Sequence, residues 1–154
     1  STGTRGVIRF FAKVQSAAIE WAKVYAELET VDEKGFSERS KQEKAAKAFN
    51  KKMPLLEKEK EVDVPEIQSM KGLFWELGMF RSQGNGRSVQ AIDPLRVQAH
   101  LDLSGMKVSK WEYNLIVEMD LVYRSTLMGR RQHGPRSRIT GKFPERRTTY
   151  HSCR

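Results

Sequence analysis

The chain has 154 residues, 38% hydrophobic and 31% charged, with a formal net charge of +9 and one cysteine. That length admits one domain with an extension, and three tryptophans and seven phenylalanines exclude a chain disordered throughout. The lone Cys153 excludes an intramolecular disulfide, and no apolar run approaches the roughly 20 residues of a membrane span. With no charged-then-apolar leader visible, a soluble, cytosol-made protein is expected, and Ser1 fits removal of an initiator methionine.

Residues 5–29 predict a long amphipathic helix. Val7, Phe10, Phe11, Val14, Ala17, Ala18, Trp21, Tyr25 and Leu28 recur at three- and four-residue spacing along one apolar stripe. Thr2 or Thr4 is a candidate cap for its start, and 32–35 supplies its stop. The stripe suits packing against the rest of the chain, or a seam for a second copy or another partner. Ser37 is placed to cap a second, mostly polar helix reaching about Asn50. The following KKMPLLEKEKEVDVP mixes charge with Pro54 and Pro65, each of which disfavours helix at the residue before it, so a linker or hinge with a solvated charged face is expected.

Pro65 suits a first helical turn, and Ile67, Met70, Phe74 and Leu77, with Leu73 beside them, predict a helix to about Met79. Gly78 marks a bend or a close approach. RSQGNGR at 81–87 is expected to be a flexible loop with Arg81 and Arg87 in solvent; a tight hairpin turn is the alternative. Asp93-Pro94 then combines a carboxylate cap with proline at the first helical position, and Gly105 ends that helix. Ser109-Lys-Trp-Glu112 fits a capping box. Trp111, Leu115, Met119 and Val122 form the inward stripe of the last helix, flanked by Ile116 and Tyr123, and periodicity stops after Met128.

From Gly129 to Arg154 eight basic residues face Glu145 alone, so seven of the nine surplus charges belong to this stretch. Arg130, Arg131, Arg136, Arg138, Arg146 and Arg147, interleaved with Phe143 and Tyr150, suit contact with phosphates and stacking on bases, an acidic protein partner, or a solubilising tail.

No catalytic constellation is evident. His100, His133 and His151 are scattered, no Cys or carboxylate group has metal spacing, and no Ser-His-Asp set can be assembled, so no enzyme, metal or cofactor is expected. Gly84 and Gly86 lack the lysine and preceding strand of a phosphate loop. The pair of helices joined at 103–109 has the outline of a helix-turn-helix, but Glu112, Glu118 and Asp120 on its second helix oppose phosphate. Those carboxylates are expected on a solvated face.

The run Leu73-Phe-Trp-Glu-Leu, the Arg81-Ser-Gln-Gly-Asn-Gly loop, the Ile92-Asp-Pro helix start and Ser109-Lys-Trp-Glu-Tyr with Ile116, Met119-Asp120 and Tyr123 together resemble the tail assembly chaperones and related minor tail proteins of tailed bacteriophages. The resemblance covers about a third of the chain and rests on Trp75, Gly84, Gly86, Trp111, Glu112, Met119, Asp120 and Tyr123. It implies a small, mainly helical, non-enzymatic protein that binds tape-measure, tail-tube or connector components in the host cytoplasm during assembly. The N-terminal helices and the Arg-rich end are outside the family pattern, which raises retention in the virion as a structural component.

The expected fold is therefore all-α: a small helical domain with a long N-terminal amphipathic helix and a basic C-terminal tail, disordered or ordered by a partner. The expected divisions are 1–64 as helical arm and linker, 65–128 as the compact domain and 129–154 as the tail. Phe10, Phe11, Val14, Trp21, Tyr25, Trp75 and Trp111 are the candidate partner-binding residues. The partners expected are tail proteins, with a second copy or DNA through the tail as further possibilities, and no membrane.

Overall fold

The computed structural model describes residues 2–82 and 89–131, and within them the fold is all-α. The loop tip at 83–88, with Gly84, Gly86 and Arg87, lies outside the described residues, as do 132–154 and the side chains of Arg130 and Arg131. The helices are α1 (Thr2–Glu29), α2 (Glu38–Phe49), α3 (Pro54–Val62), α4 (Gln68–Gly78), α5 (Pro94–Ser104) and α6 (Lys110–Arg131). A single 3-10 turn, Pro65–Ile67, leads into α4.

Helix α1, about 42 Å long at 1.5 Å per residue, is the axis of the fold. Val14, Ala18, Trp21 and Ala22 join Ile67, Met70, Leu73, Phe74 and Leu77 of the α4 region, Val97 of α5, and Leu115, Ile116 and Met119 of α6 in one core. Its far side is covered by α2 and α3, so that from Trp21 to Leu28 only Lys23 is exposed. The expected division into an arm (1–64) and a body (65–128) does not hold, because α1 supplies the middle of the core rather than an appendage to it. The start also differs: Thr2 and Thr4 lie inside α1 rather than capping it.

Phe11 meets Trp111 and Tyr25 meets Tyr123, so α1 and α6 run parallel. Two helices running side by side in one direction need a long return, and α2 to α5 provide it.

The stop after α1 is the turn expected there. Asp32 Oδ1 accepts the N–H groups of Lys34 and Phe36, and Gly35 takes φ +86, a conformation that a Cβ would strain. Ser37 then caps α2 through the Ser40 N–H at 3.2 Å, and Asn50 ends it in the left-handed region.

The expected linker after α2 is instead helix α3. Both prolines stand at helix starts, where the missing N–H is not needed, and the residues before them, Met53 and Val64, take the extended geometry that proline demands. Proline therefore frames this helix rather than breaking it. Met53 offers no side-chain cap, and the buried Gln42 of α2 stands in: its Oε1 accepts the Leu55 N–H at 3.2 Å while its Nε2 donates to Glu38. Gln42→Ala removes this borrowed cap and is expected to cost about 1–2 kcal/mol, read from the urea midpoint.

The charged run is also less solvated than its composition implies. Arg39 of α2 donates to both carboxylate oxygens of Glu59 on α3 and, through Nε at 3.0 Å, to Glu29 of α1. One guanidinium thus ties three helices together. Hydrogen bonding to Glu59 is the main cause that holds Arg39 charged more firmly than a free arginine.

Just beyond α3, Asp63 accepts Lys71 Nζ and Gln68 Nε2, each at 2.7 Å. The nearly buried Lys71 ammonium also lies over the rings of Trp21 and Trp75, at 5.1 and 5.3 Å. The bond from Lys71 holds the Asp63 carboxyl below the usual carboxylate range. A lowered folded value means stability that is complete above the unfolded value of about 3.9 and lost as pH falls through the folded one. Asp63→Asn should lower stability at neutral pH and flatten the acid loss below about pH 4, measured as urea midpoints across pH.

Asp93 caps α5 through the Leu95 N–H at 3.0 Å, and Gly105 ends it at φ +67. The capping box forms in both directions, Ser109 Oγ accepting the Glu112 N–H and Glu112 Oε1 accepting the Ser109 N–H.

Candidate functional site

Two surfaces gather the side chains expected to bind partners, one at each end of the α1–α6 pair. At the first, residues 3–13 of α1 are exposed, including the apolar Val7, Ile8, Phe10 and Phe11. Beside it lies a groove of about 370 Å³ walled by Phe10, Phe11 and Val14, by Glu66, Ser69 and Met70, and by the start of α6. The capping box fixes the first turn of α6 and so the Trp111 ring, which meets Phe11 edge-on with centroids 4.8 Å apart. The groove's charged lining is the carboxylates of Glu66 and Glu112. Lys13 reaches Glu66 at 3.6 Å.

The second surface is a cleft of about 240 Å³ formed by Tyr25, Phe74, Trp75, Gly78, Met79, Arg81 and Tyr123. Tyr25 and Tyr123 stack at 5.8 Å, and Trp75 stands nearly at right angles to Trp21. Burial raises both phenols above their ordinary range, and Glu29 adds to the shift at Tyr25. Trp75 and Met79 are 48% and 78% exposed at the mouth.

The seven candidate partner-binding residues therefore separate. Phe10, Phe11 and Trp75 are exposed, Tyr25 and Trp111 are half-buried, and Val14 and Trp21 lie inside this chain's own core. Trp21 is closed off in its own core, whereas Val14, though buried, still lines the first groove.

Behind the second cleft is a cluster that sequence reasoning missed. Asp120, expected on a solvated face, is 3% exposed. Arg81, expected in solvent, pairs with its Oδ1, while Arg124 Nε donates to Oδ2 at 2.9 Å. The Arg81 contact is an ion pair whose angle is off the line of a good hydrogen bond. Arg81 also donates to the Gln90 carbonyl at 3.0 Å and lies 5.2 Å over the Tyr123 ring. Its backbone bridges antiparallel to Ile92. The base of the 83–88 loop is thus paired like a hairpin and clamped to α6. One signal was available: Asp120 falls within the stripe Ile116, Met119, Tyr123 and Leu127, and an acid on an apolar face needs a buried cation.

No protein-family model, curated protein or solved structure matches the chain.

Gly78, a candidate for close packing, would place a Cβ no nearer than 3.9 Å to Arg81 Nη2, which is ordinary contact. His100 lies 3.0 Å from Glu76 and packs on Phe80 at 4.7 Å, a satisfied position at the edge of the core. Among the described residues no three His, Cys, Asp or Glu gather to hold a metal ion, and no helix is long and apolar enough to cross a membrane.

Proposed function

We propose that this chain is a non-catalytic helical protein of bacteriophage morphogenesis, acting through protein–protein contact in tail or connector assembly. The observation that carries the contact is the first part of α1, where Val7, Ile8, Phe10 and Phe11 stand exposed beside a groove that no described residue fills. Exposed large apolar side chains clustered at a concave site mark interaction surfaces in soluble proteins. The setting rests on the resemblance of residues 73–124 to tail assembly chaperones and minor tail proteins. On this reading the protein works in the host cytoplasm during assembly, meets tape-measure, tail or connector proteins, and can stay in the virion. The test is complementation in the phage that carries the gene, scored by electron microscopy. Phe10→Glu should leave the protein soluble and helical but give incomplete tails or connectors. Normal particles would overturn the reading.

The charge segregation favours a second reading, a basic nucleic-acid-binding protein that uses the Arg-rich end. If this end holds phosphates, affinity falls with log salt at a slope of about −0.9 per contact on duplex DNA. Truncation after Met128 is expected to abolish that slope in a binding titration. Equal binding by the truncated chain would exclude the tail as the contact.

A further inference from the structure

The second cleft sets an aromatic wall beside a guanidinium with hydrogen-bonding capacity to spare. Its charged lining residue is Arg81, whose side chain is 20% exposed. Arg81 uses Nη1 for both the Gln90 carbonyl and Asp120, while Nη2 has no hydrogen bond among the described residues. That nitrogen faces the cleft across Gly78, where an added Cβ would lie 3.9 Å from it. The charge is unmatched as well. Arg81 and Arg124 share the carboxylate of Asp120, so the cluster keeps one positive charge, and neither arginine has another ion pair among the described residues. Glu29, the acid that acts on Tyr25, is already bonded to Arg39.

A mostly buried cation with a free donor, beside exposed aromatic and thioether surface, is complementary to a carboxylate carried next to an aromatic ring. We infer that this cleft is the docking site for an acidic segment of a partner protein in which an aspartate or glutamate adjoins an aromatic residue. The carboxylate takes Arg81 Nη2 and cancels the surplus charge. The ring seats beside Trp75 and Met79 at the mouth, against ring edges and a thioether. Gly78 leaves the approach to Nη2 open, because a side chain there would stand in it. A nucleotide also joins a ring to an anion, but it fits less well. Tyr25 stacks with both Trp21 and Tyr123, and Tyr123 also carries the Arg81 guanidinium, so the tyrosine faces that a base needs are taken up within the fold. The inference rests on the reading of the chain as a protein-contact protein, and it adds a contact at the other end of the α1–α6 pair.

The test titrates the full chain with capped hexapeptides that place aspartate or glutamate beside phenylalanine, tyrosine or tryptophan, followed through the indole N–H resonance of Trp75. Acidic peptides are expected to shift it saturably. Their asparagine or glutamine counterparts should bind at least about tenfold more weakly, as loss of a charge-assisted hydrogen bond does. Gly78→Ala should weaken the acidic peptides as well, while its urea midpoint stays level or rises, because alanine favours helix and the added methyl meets only ordinary contact. No saturable shift with any peptide, equal binding of acid and amide, or full binding by Gly78→Ala overturns the inference. So does a thymidine oligonucleotide that shifts the resonance at lower concentration than the peptides, which would assign the cleft to nucleic acid. Peptide binding is read apart from particle assembly. Normal particles from Phe10→Glu would remove the assembly reading and leave this cleft standing, and an inert cleft alongside defective Phe10→Glu particles does the reverse.

Discussion

Replacing Asp120 with alanine is expected to destabilise the fold by about 3 kcal/mol, seen as a lower urea midpoint at unchanged slope. Among the described residues Asp120 is the carboxylate that pairs with both Arg81 and Arg124, whose side chains are only 20% and 23% exposed. Removing it leaves two half-buried guanidinium groups facing each other, and an uncompensated charge in low dielectric costs more than the pair contributed. The residual exposure of both arginines places the effect at the lower end of the range for buried pairs. Replacing all three residues together with apolar ones of similar length should recover much of the loss, because no charge is then stranded. An unchanged midpoint in Asp120→Ala would mean that water reaches the cluster.

Trp21→Ala should cost more, about 3–5 kcal/mol. Trp21 is 1% exposed and meets Tyr25, Phe74 and Trp75 at ring-centroid distances of 5.0, 6.0 and 5.6 Å. Alanine there opens a cavity between α1 and α4 and removes the ring under the Lys71 ammonium. Trp75→Ala is the control: with about half of its surface already in water, it should lose roughly half as much. Urea midpoints followed by circular dichroism read both. Equal losses would place the two tryptophans in equivalent surroundings, against the structure.

The helices were legible wherever a local rule specifies them. Ser37, Asp93 and the Ser109–Glu112 box begin helices because their side chains satisfy N–H groups two or three residues on, and Gly105 ends one because only it takes positive φ without strain. The apolar faces of α1, α4 and α6 followed from their spacing. Helix α3 was not legible. Its cap comes from Gln42, thirteen residues earlier, and its best ion pair comes from Arg39, twenty residues before Glu59. The candidate surface was legible in part, since the α1 stripe showed that something must cover it, but not which half the chain covers itself.

By itself, then, the sequence determined an all-helical chain, most helix boundaries, the segregation of positive charge beyond Gly129, and an α1 stripe too rich to remain bare. These are local or one-dimensional properties, readable from neighbours three or four residues apart. Tertiary structure alone decided the rest. It put Val14 and Trp21 in the core and left Phe10 exposed, because the buried core shared with α4 and α6 begins at Val14. It also turned Arg81 and Asp120, 39 positions apart, from two solvated charges into one buried clamp. Burial and pairing depend on which helix lies opposite, and spacing along the chain does not contain that information.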